Sequence, residues 1–341
     1  MPCTYNSGRT RTFSQDTLTP MADSSPAPTG PATAAGGTAL RRAVTEEMLG
    51  IVGAPFALAG RLVEEAGFDA VYLSGAAFSA GTLGVPDIGL FTRDQLVEQT
   101  RILARAVTIP VVVDADTGFG GPRDVEETVR RLEAAGAAAI QLEDQPADKR
   151  CGHLAGKRVV ETTEMCDRLA AAAAGRSDPG TVIVGRSDAR GVHGIDDCIR
   201  RLEAYRGAGA DWLFPEALAS RDEFRRVGDA LEGTPLLANM TEFGVSPLVS
   251  IPDLAELGFS AVLYPVTLMR LAMKAMEAGL AIIASEGTQE SLLDLMQSRE
   301  ELYDLLGYDP RHPDAHLAGP AAARATRHAA RHASSHEEKH A

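Results

Sequence analysis

The sequence predicts an α/β protein built as a closed (β/α)8 barrel, and three observations carry that reading. Ends poor in aliphatic residues bracket a middle of roughly 270 residues, close to the roughly 250 of a typical eight-unit barrel. A short repeat also recurs, as Ala-Gly-Phe-Asp-Ala at 66–70, Ala-Gly-Ala-Ala-Ala at 135–139, Ala-Gly-Ala-Asp-Trp at 208–212 and Leu-Gly-Phe-Ser-Ala at 257–261. In each copy the glycine suits the left-handed end of a helix, and an apolar strand follows at once. Finally, eight short strands can be placed, near 50–54, 70–74, 109–114, 138–143, 181–186, 211–215, 235–239 and 260–264. Their count favours a closed barrel of the TIM type over an open sheet.

Taken in chain order, residues 1–38 are mostly Ser, Thr, Pro, Gly and Ala. They bury too little apolar surface to offset the entropy of ordering, so a disordered extension is expected there. The barrel is expected over 39–310. Its strands are apolar on both faces, as parallel strands covered by helices should be. Past Pro310 the chain turns to Ala, Arg and His, and 311–341 is expected to be a disordered or partly helical tail. His328, His332, His336 and His340 recur every four residues, which would align them on one helical face. Both a solvated tail and a metal-binding one fit that spacing.

Charge excludes some partners. With 33 Lys+Arg against 47 Asp+Glu, the net charge is −14, which argues against nucleic acid or an anionic membrane surface. Four cysteines (Cys3, Cys151, Cys166 and Cys198) are too scattered for a zinc site and too few for a disulfide scaffold. Cys166 and Cys198 fall on predicted helices as packing residues. No apolar run has membrane-spanning length, and a cytoplasmic, reduced, globular protein is expected.

Polar residues collect where the strands end. Ser74 follows Val-Tyr-Leu, Asp114 and Asp116 follow Pro-Val-Val-Val, and Glu143 and Asp144 follow Ile-Gln-Leu. Arg186 and Asp188 follow Val-Ile-Val-Gly, Glu216 follows Trp-Leu-Phe-Pro, and Asn239 and Thr241 follow Pro-Leu-Leu-Ala. In a (β/α)8 barrel these ends share one mouth, where active sites are built. So many carboxylates repel one another unless a cation or ligand sits among them. Asp114 and Asp116, two apart on an extended segment, point to the same side and suit Mg²⁺ or Mn²⁺. A helix-capping Asp is the plainer alternative for one of the pair. The loop from Gln145 to Arg158 carries Lys149, Arg150 and Lys157 and reads as an anion-gripping segment that closes over substrate. Cys151 lies among those cations, a setting that favours a thiolate. Gly118-Phe119-Gly120-Gly121 lacks any phosphate-loop ending and is expected to let the chain pass close to the metal. Trp212 and Phe214 read as core.

Lys-Arg-Cys-Gly-His at 149–153, Asp-Ala-Asp at 114–116 and Tyr-Leu-Ser-Gly at 72–75 resemble the isocitrate lyase and phosphoenolpyruvate mutase superfamily. Leu-Gly-Val-Pro-Asp at 83–87, Thr-Glu-Phe-Gly at 241–244, Leu-Tyr-Pro at 263–265 with Arg270, and Glu-Gly-Thr-Gln at 286–289 look most like its methylisocitrate lyase branch. The likeness runs through about 40–308 and covers neither tail. It implies Mg²⁺-dependent cleavage of 2-methylisocitrate to pyruvate and succinate, with Mn²⁺ as a substitute. By that resemblance Asp87, Asp114, Asp116 and Glu143 form the metal environment. Cys151 is the acid, Tyr72 a base, and Arg186 stabilises the developing oxyanion. Ser74, Gly75 and Ala76 bind the pyruvate carboxylate. Arg150, Gly152, His153, Glu216, Asn239, Thr241 and Arg270 bind the succinate half.

The resemblance also implies a homotetramer in which a C-terminal helix is swapped between subunits. Leu292, Leu293, Leu295, Met296, Leu302, Leu305 and Leu306 would supply the apolar face of residues 289–306. Ala76 and Ala77 depart from the glycines common in that branch, and Gly185-Arg186-Ser187-Asp188 departs from Ala-Arg-Thr-Asp. Sibling readings are carboxyphosphonoenolpyruvate phosphonomutase, dimethylmalate lyase, isocitrate lyase and oxaloacetate decarboxylase. A non-catalytic barrel scaffold with a metal-binding His tail is the alternative from another class.

Overall fold

The structure, a computed structural model, describes residues 32–150, 152–153 and 156–308. Helix α1 (Ala32–Glu46) leads into β1 (Leu49–Gly53), α2 (Ala57–Glu65) and β2 (Ala70–Leu73). A short helix α3 (Gly75–Ala77) runs on into a π-helical turn over Phe78–Thr82. Then come α4 (Arg93–Ala106), β3 (Val111–Asp114), α5 (Pro122–Ala135), β4 (Ala139–Glu143), α6 (Thr162–Gly175) and β5 (Val182–Ser187). The second half holds α7 (Arg190–His193), α8 (Ile195–Gly207), β6 (Trp212–Pro215), α9 (Arg221–Ala230), β7 (Leu237–Asn239), α10 (Ile251–Glu256) and β8 (Ala261–Tyr264). Helix α11 (Thr267–Glu286), a 3₁₀ turn (Glu290–Leu295) and α12 (Arg299–Leu306) complete it.

Eight strands pair in parallel in the order β6-β5-β4-β3-β2-β1-β8-β7. A parallel bridge between Leu213 and Leu236 joins β6 to β7 and closes the ring. Each expected strand is present. The repeat glycines Gly67, Gly136, Gly209 and Gly258 all have positive φ, between 84° and 111°, as a left-handed helix end requires.

Side chains alternate across each strand, so the barrel has two apolar layers. Val71, Val113, Ile140, Leu142, Ile183 and Leu213 face the helices. Leu49, Ile51, Val112, Val182, Val184, Trp212, Leu237 and Leu263 fill the interior. Leu40 and Val44 of α1 belong to that interior cluster, and Arg41 hydrogen-bonds the Gly180 and Thr181 carbonyls while pairing with Asp211 at 2.7 Å. Helix α1 thus closes the N-terminal end of the barrel. It starts at Ala32, inside the segment 1–38 assigned to an extension from composition. Gly37 allows this, since a Cβ there would lie 2.4 Å from the Gly180 carbonyl oxygen. The proposed tail and its histidines lie outside the described residues.

Leu292 and Leu305 are buried within the chain, and Arg61 of α2 donates to the Leu305 and Leu306 carbonyls. Part of the 289–306 face therefore packs on its own subunit. Helix α11 instead has no buried residue. Among the described residues no helix is long and apolar enough to cross a membrane.

Two helical glycines give a stability test. A Cβ on Gly228 of α9 would lie 1.9 Å from the Leu257 carbonyl oxygen, whereas nothing lies within 4 Å of one on Gly207 of α8. Overpacking costs about 1–3 kcal/mol, which outweighs the roughly 1 kcal/mol that Ala gains over Gly in a helix. Urea denaturation should show Gly228→Ala destabilised by up to about 2 kcal/mol net of that gain and Gly207→Ala unchanged or stabilised by up to about 1 kcal/mol.

Candidate active site

Alternation also places the polar residues. Interior parity continues past the apolar layers to Asp114 on β3, Gln141 and Glu143 on β4, Arg186 on β5 and Asn239 on β7. Glu216 and Thr241 extend β6 and β7 in the same phase. A pocket opens at this mouth, lined by residues from the ends of several strands and the loops that follow them. Tyr72, Ser74, Ala76, Asp87 and Asp114 line it from β2, β3 and the segment between them. Arg150, Gly152 and His153 line it from the loop after β4, Arg186 and Phe214 from β5 and β6, and Glu216, Asn239, Thr241 and Arg270 from the ends of β6 to β8 and beyond; in the ring of eight, β6 and β7 stand opposite β2 and β3. Asp116 and Glu143 are buried next to it. Ala77 is buried and does not line the pocket, so of the two alanines Ala76 alone shapes its wall. Cys151 lies outside the described residues.

Arg186 is the centre of the charge network. Its Nε lies 3.0 Å from Asp188 Oδ2, Nη2 lies 3.1 Å from Glu216 Oε2, and Nη1 lies 3.5 Å from Glu143 Oε2. The guanidinium also stacks 5.2 Å from the centre of the Phe214 ring, so Phe214 supports the site as well as the core. Burial opposes its charge, but Asp188, Glu216 and Glu143 hold it firmly protonated. Asp188 is itself fixed, because Asp144 Oδ1 accepts from its backbone N–H at 2.8 Å while Asp144 Oδ2 accepts from Ser187 and Tyr205.

Glu216 was expected to touch substrate, but its oxygens are already engaged. Asn239 Nδ2 donates to both at 3.2 and 3.3 Å, and His153 Nε2 lies 2.9 Å from Oε1. Burial works against the Glu216 carboxylate, yet Arg186 and His153 bring its pKa well below the usual range. The Val245 N–H donates to His153 Nδ1 at 3.0 Å, so Nδ1 carries no proton and Nε2 donates to Glu216. Glu216 thus lines the pocket with both oxygens already paired.

The loop cations are also engaged. Lys149 Nζ is 2.7 Å from Asp87 Oδ1 and 2.5 Å from Asp116 Oδ1. Lys157 pairs with Asp188 at 2.9 Å and donates to the Gly152 carbonyl. Of the three cations expected to grip an anion, Arg150 lines the pocket and has no ion pair among the described residues. Arg270 lies 3.5 Å from Glu242 Oε2 and stacks on Phe243.

Among the described residues no three His, Cys, Asp or Glu side chains converge as metal ligands. Asp114 Oδ2 accepts from Gly75 N–H at 3.2 Å, while Oδ1 accepts from Gln141 at 3.2 Å and from Asp116 N–H at 3.3 Å. Asp87 and Asp116 face Lys149, and Glu143 faces Arg186. The donor set still fits Mg²⁺, which takes one or two carboxylates and keeps several waters. Glu143 Oε1 is buried with no hydrogen-bond partner, and an ammonium already sits between Asp87 and Asp116. Burial, together with Asp114 and Asp87, pushes Asp116 up to about 7 despite Lys149; burial likewise raises Glu143. Carboxylates so raised are short of positive charge. The close-passing glycine is Gly75, whose Cβ would lie 3.1 Å from Asp116 Oδ1. Gly118, expected in that role, packs against Val125 and Leu142 instead.

Tyr72, expected to be a base, donates its hydroxyl to Gln141 Oε1 at 2.8 Å. Burial, reinforced by Asp114, raises its pKa well above 10, so the phenol keeps its proton at neutral pH. Gln141, Lys149, Lys157 and Asp144 were not assigned these roles from sequence. Gln141 had one readable signal, its place two residues before Glu143 on the inward side of a strand.

Residues 45–284 match the family model described as phosphoenolpyruvate phosphomutase. The chain is 52% identical to probable 2-methylisocitrate lyase 1 of Corynebacterium glutamicum over 74% of this chain and 82% of that protein. It is 48% identical to the 2-methylisocitrate lyase of Aeropyrum pernix over 75% and 82%. Among solved structures, 2,3-dimethylmalate lyase superposes with a TM-score of 0.78 at 34% identity, covering 84% of this chain and 96% of that one. Phosphonopyruvate hydrolase in complex with oxalate and Mg²⁺ gives 0.72 at 29% identity, covering 80% and 95%. Barrel, mouth and sequence agree: the chain belongs to the phosphoenolpyruvate phosphomutase family.

Proposed function

We propose that this chain is a carbon–carbon lyase that cleaves 2-methylisocitrate to pyruvate and succinate. The observation that carries the reading is one pocket with two chemically distinct sides. Buried carboxylates and the Ser74-Gly75-Ala76 turn form one; Arg150, His153, Asn239, Thr241 and Arg270 form the other. A substrate with an α-hydroxy acid at one end and two carboxylates at the other matches that division.

Cleavage breaks the bond between the hydroxyl-bearing carbon and its neighbour. The hydroxyl passes its proton to a carboxylate of the mouth, the carbonyl of pyruvate forms, and the electron pair passes to the succinate fragment as an enediolate. Mg²⁺, or Mn²⁺ in its place, would be held by Asp114 and Asp116 with Asp87 and Glu143 around them, and supplies a Lewis-acid hold on the hydroxy-acid oxygens. Arg186, preorganised by Asp188, Glu143 and Glu216, faces the developing oxyanion. Backbone N–H groups after Ser74 take the pyruvate carboxylate. Arg150 and Arg270 take the succinate carboxylates, where a guanidinium can bind in bidentate fashion, and Asn239 and His153 are held for that half by Glu216. Cys151, between the pocket residues Arg150 and Gly152, donates the proton that quenches the enediolate.

Apolar residues Met273, Met276, Leu280 and Ile283 on α11 are exposed, and their spacing of three, four and three puts them on one helix face. That face supports a homotetramer in which α11 packs on a neighbouring subunit, with the exposed Leu293, Leu295 and Met296 as the part of 289–306 left for an exchange.

Pyruvate release from 2-methylisocitrate, read through lactate dehydrogenase, should be fast with Mg²⁺ and lost with EDTA; isocitrate and 2,3-dimethylmalate run in parallel should be slower. A folded protein silent towards 2-methylisocitrate would refute the assignment. Cys151→Ser should cut turnover on the order of 10²–10⁴-fold while Mn²⁺ binding and the melting profile stay as in the parent, and a near-parental rate would remove Cys151 as the acid. Sedimentation velocity should give a tetramer that Met276→Glu and Leu280→Glu together dissociate; a monomeric parent protein would rule out the exchange.

A further inference from the structure

Gln141 is an amide on the inward side of β4, between the apolar barrel interior and the charged residues of the mouth. It is fully buried on β4, with Asp114 opposite it in the β3–β4 register. Both of its side-chain bonds go to residues of the mouth: Oε1 accepts from the Tyr72 hydroxyl at 2.8 Å, and Nε2 donates to Asp114 Oδ1 at 3.2 Å. The orientation follows from chemistry. Asp114 Oδ1 accepts from the Asp116 N–H and from the Gln141 NH₂, so the amide turns its carbonyl to Tyr72, and a carbonyl can only accept. Tyr72 is therefore the donor. An amide neither takes up nor releases a proton near neutral pH, so no proton passes through Gln141 between the two.

We infer that Gln141 is a positioning residue. It holds the Asp114 carboxylate in place for the metal and pins the Tyr72 proton, which makes the phenol a fixed donor rather than the base of the reaction. Asp114 keeps two other donors, the backbone N–H groups of Gly75 and Asp116. Loss of Gln141 should therefore loosen the carboxylate without releasing it. Partners that orient a metal ligand typically matter 10–100-fold in metal affinity. The inference rests on the metal-assisted reading above.

The test uses the full chain with Mn²⁺ alone as the probe, free Mn²⁺ being read by electron paramagnetic resonance. Gln141→Met preserves length and removes both hydrogen bonds. It is expected to raise the Mn²⁺ Kd on the order of 10–100-fold, with turnover largely recovered at saturating Mn²⁺. A merely structural residue would lower the melting temperature and leave the Kd of the folded protein unchanged, and that result overturns the inference. Should Gln141→Met not fold, Gln141→Leu carries the same measurement. Tyr72→Phe at saturating Mn²⁺ should lose less than about tenfold, against the 10²–10⁴-fold typical of a lost acid or base. A larger loss returns Tyr72 to the role of proton acceptor and overturns the assignment. A parent protein that binds no Mn²⁺ overturns the metal-site reading together with this one; tight binding by parent and Gln141→Met alike overturns the role of Gln141 alone.

Discussion

Everything at this mouth follows from one constraint: closing eight parallel strands sends every second side chain inward and brings all eight C-terminal ends to one face. Leu, Ile, Val and Trp satisfy the constraint deep in the barrel, where they need no partner. Nearer the mouth the same parity delivers Asp114, Gln141, Glu143, Arg186 and Asn239 into a space too small to hydrate them separately. Each must then find its partner across the barrel. The hydrogen bonds and ion pairs among them are less a source of stability than a condition of burial, because an unpaired charge there would cost far more than the pair returns.

The ledger of charge at the mouth does not close with protein groups alone. Asp87, Asp114, Asp116, Glu143, Asp188 and Glu216 outnumber Lys149, Lys157, Arg186 and the more exposed Arg150 and Arg270. The imbalance is local, since Glu216, beside Arg186 and His153, lies low, whereas Asp116 and Glu143 are raised by burial. The deficit of positive charge thus falls on the Asp116 side, where Lys149 is already drawn in. Backbone strain collects at the same end. Asp116, Phe119, Ala217 and Phe243 have φ between 48° and 66°, and all four lie in loops that follow strands. Non-glycine residues in this region are held only where surrounding structure over-determines them, and here the closed barrel supplies that support.

Much of this was legible in the sequence because it depends on period and order. The strands, the glycines that end the helices and the polar residues at strand ends come from spacing alone. Pairing across the barrel does not, since it depends on register and on which of several nearby groups wins. Spacing marks Glu216 as a mouth residue, but not that its oxygens are engaged by Asn239, His153 and Arg186. It marks Lys149 and Lys157 as loop cations, but not that Asp87, Asp116 and Asp188 capture them. Gly118 looked more suggestive than Gly75 because it lies in a glycine run, yet close approach is a property of tertiary contact. Composition misjudged the start of α1 for a related reason. Its small residues, including Gly36 and Gly37, bury no large apolar surface but let the helix lie directly on the Gly180 turn.

The overall charge sharpens what the pocket must do. A chain of net charge −14 repels a trianionic substrate at long range, although salt screens that field within about 8 Å at physiological ionic strength. Inside the mouth screening is weaker and the protein must reverse the sign locally. Arg186 cannot do so alone, because Glu143, Asp188 and Glu216 largely neutralise it. The attraction has to come from groups whose charge is not already matched, which are Arg150 on the loop, the loosely paired Arg270, and a cation among the raised carboxylates. These lie on opposite sides of the pocket. An anion bearing carboxylates at both ends can engage both sides at once, whereas one with a single charged end leaves one side unmatched, so the division of charge across the mouth selects for length and valence before any contact with the substrate's methyl group.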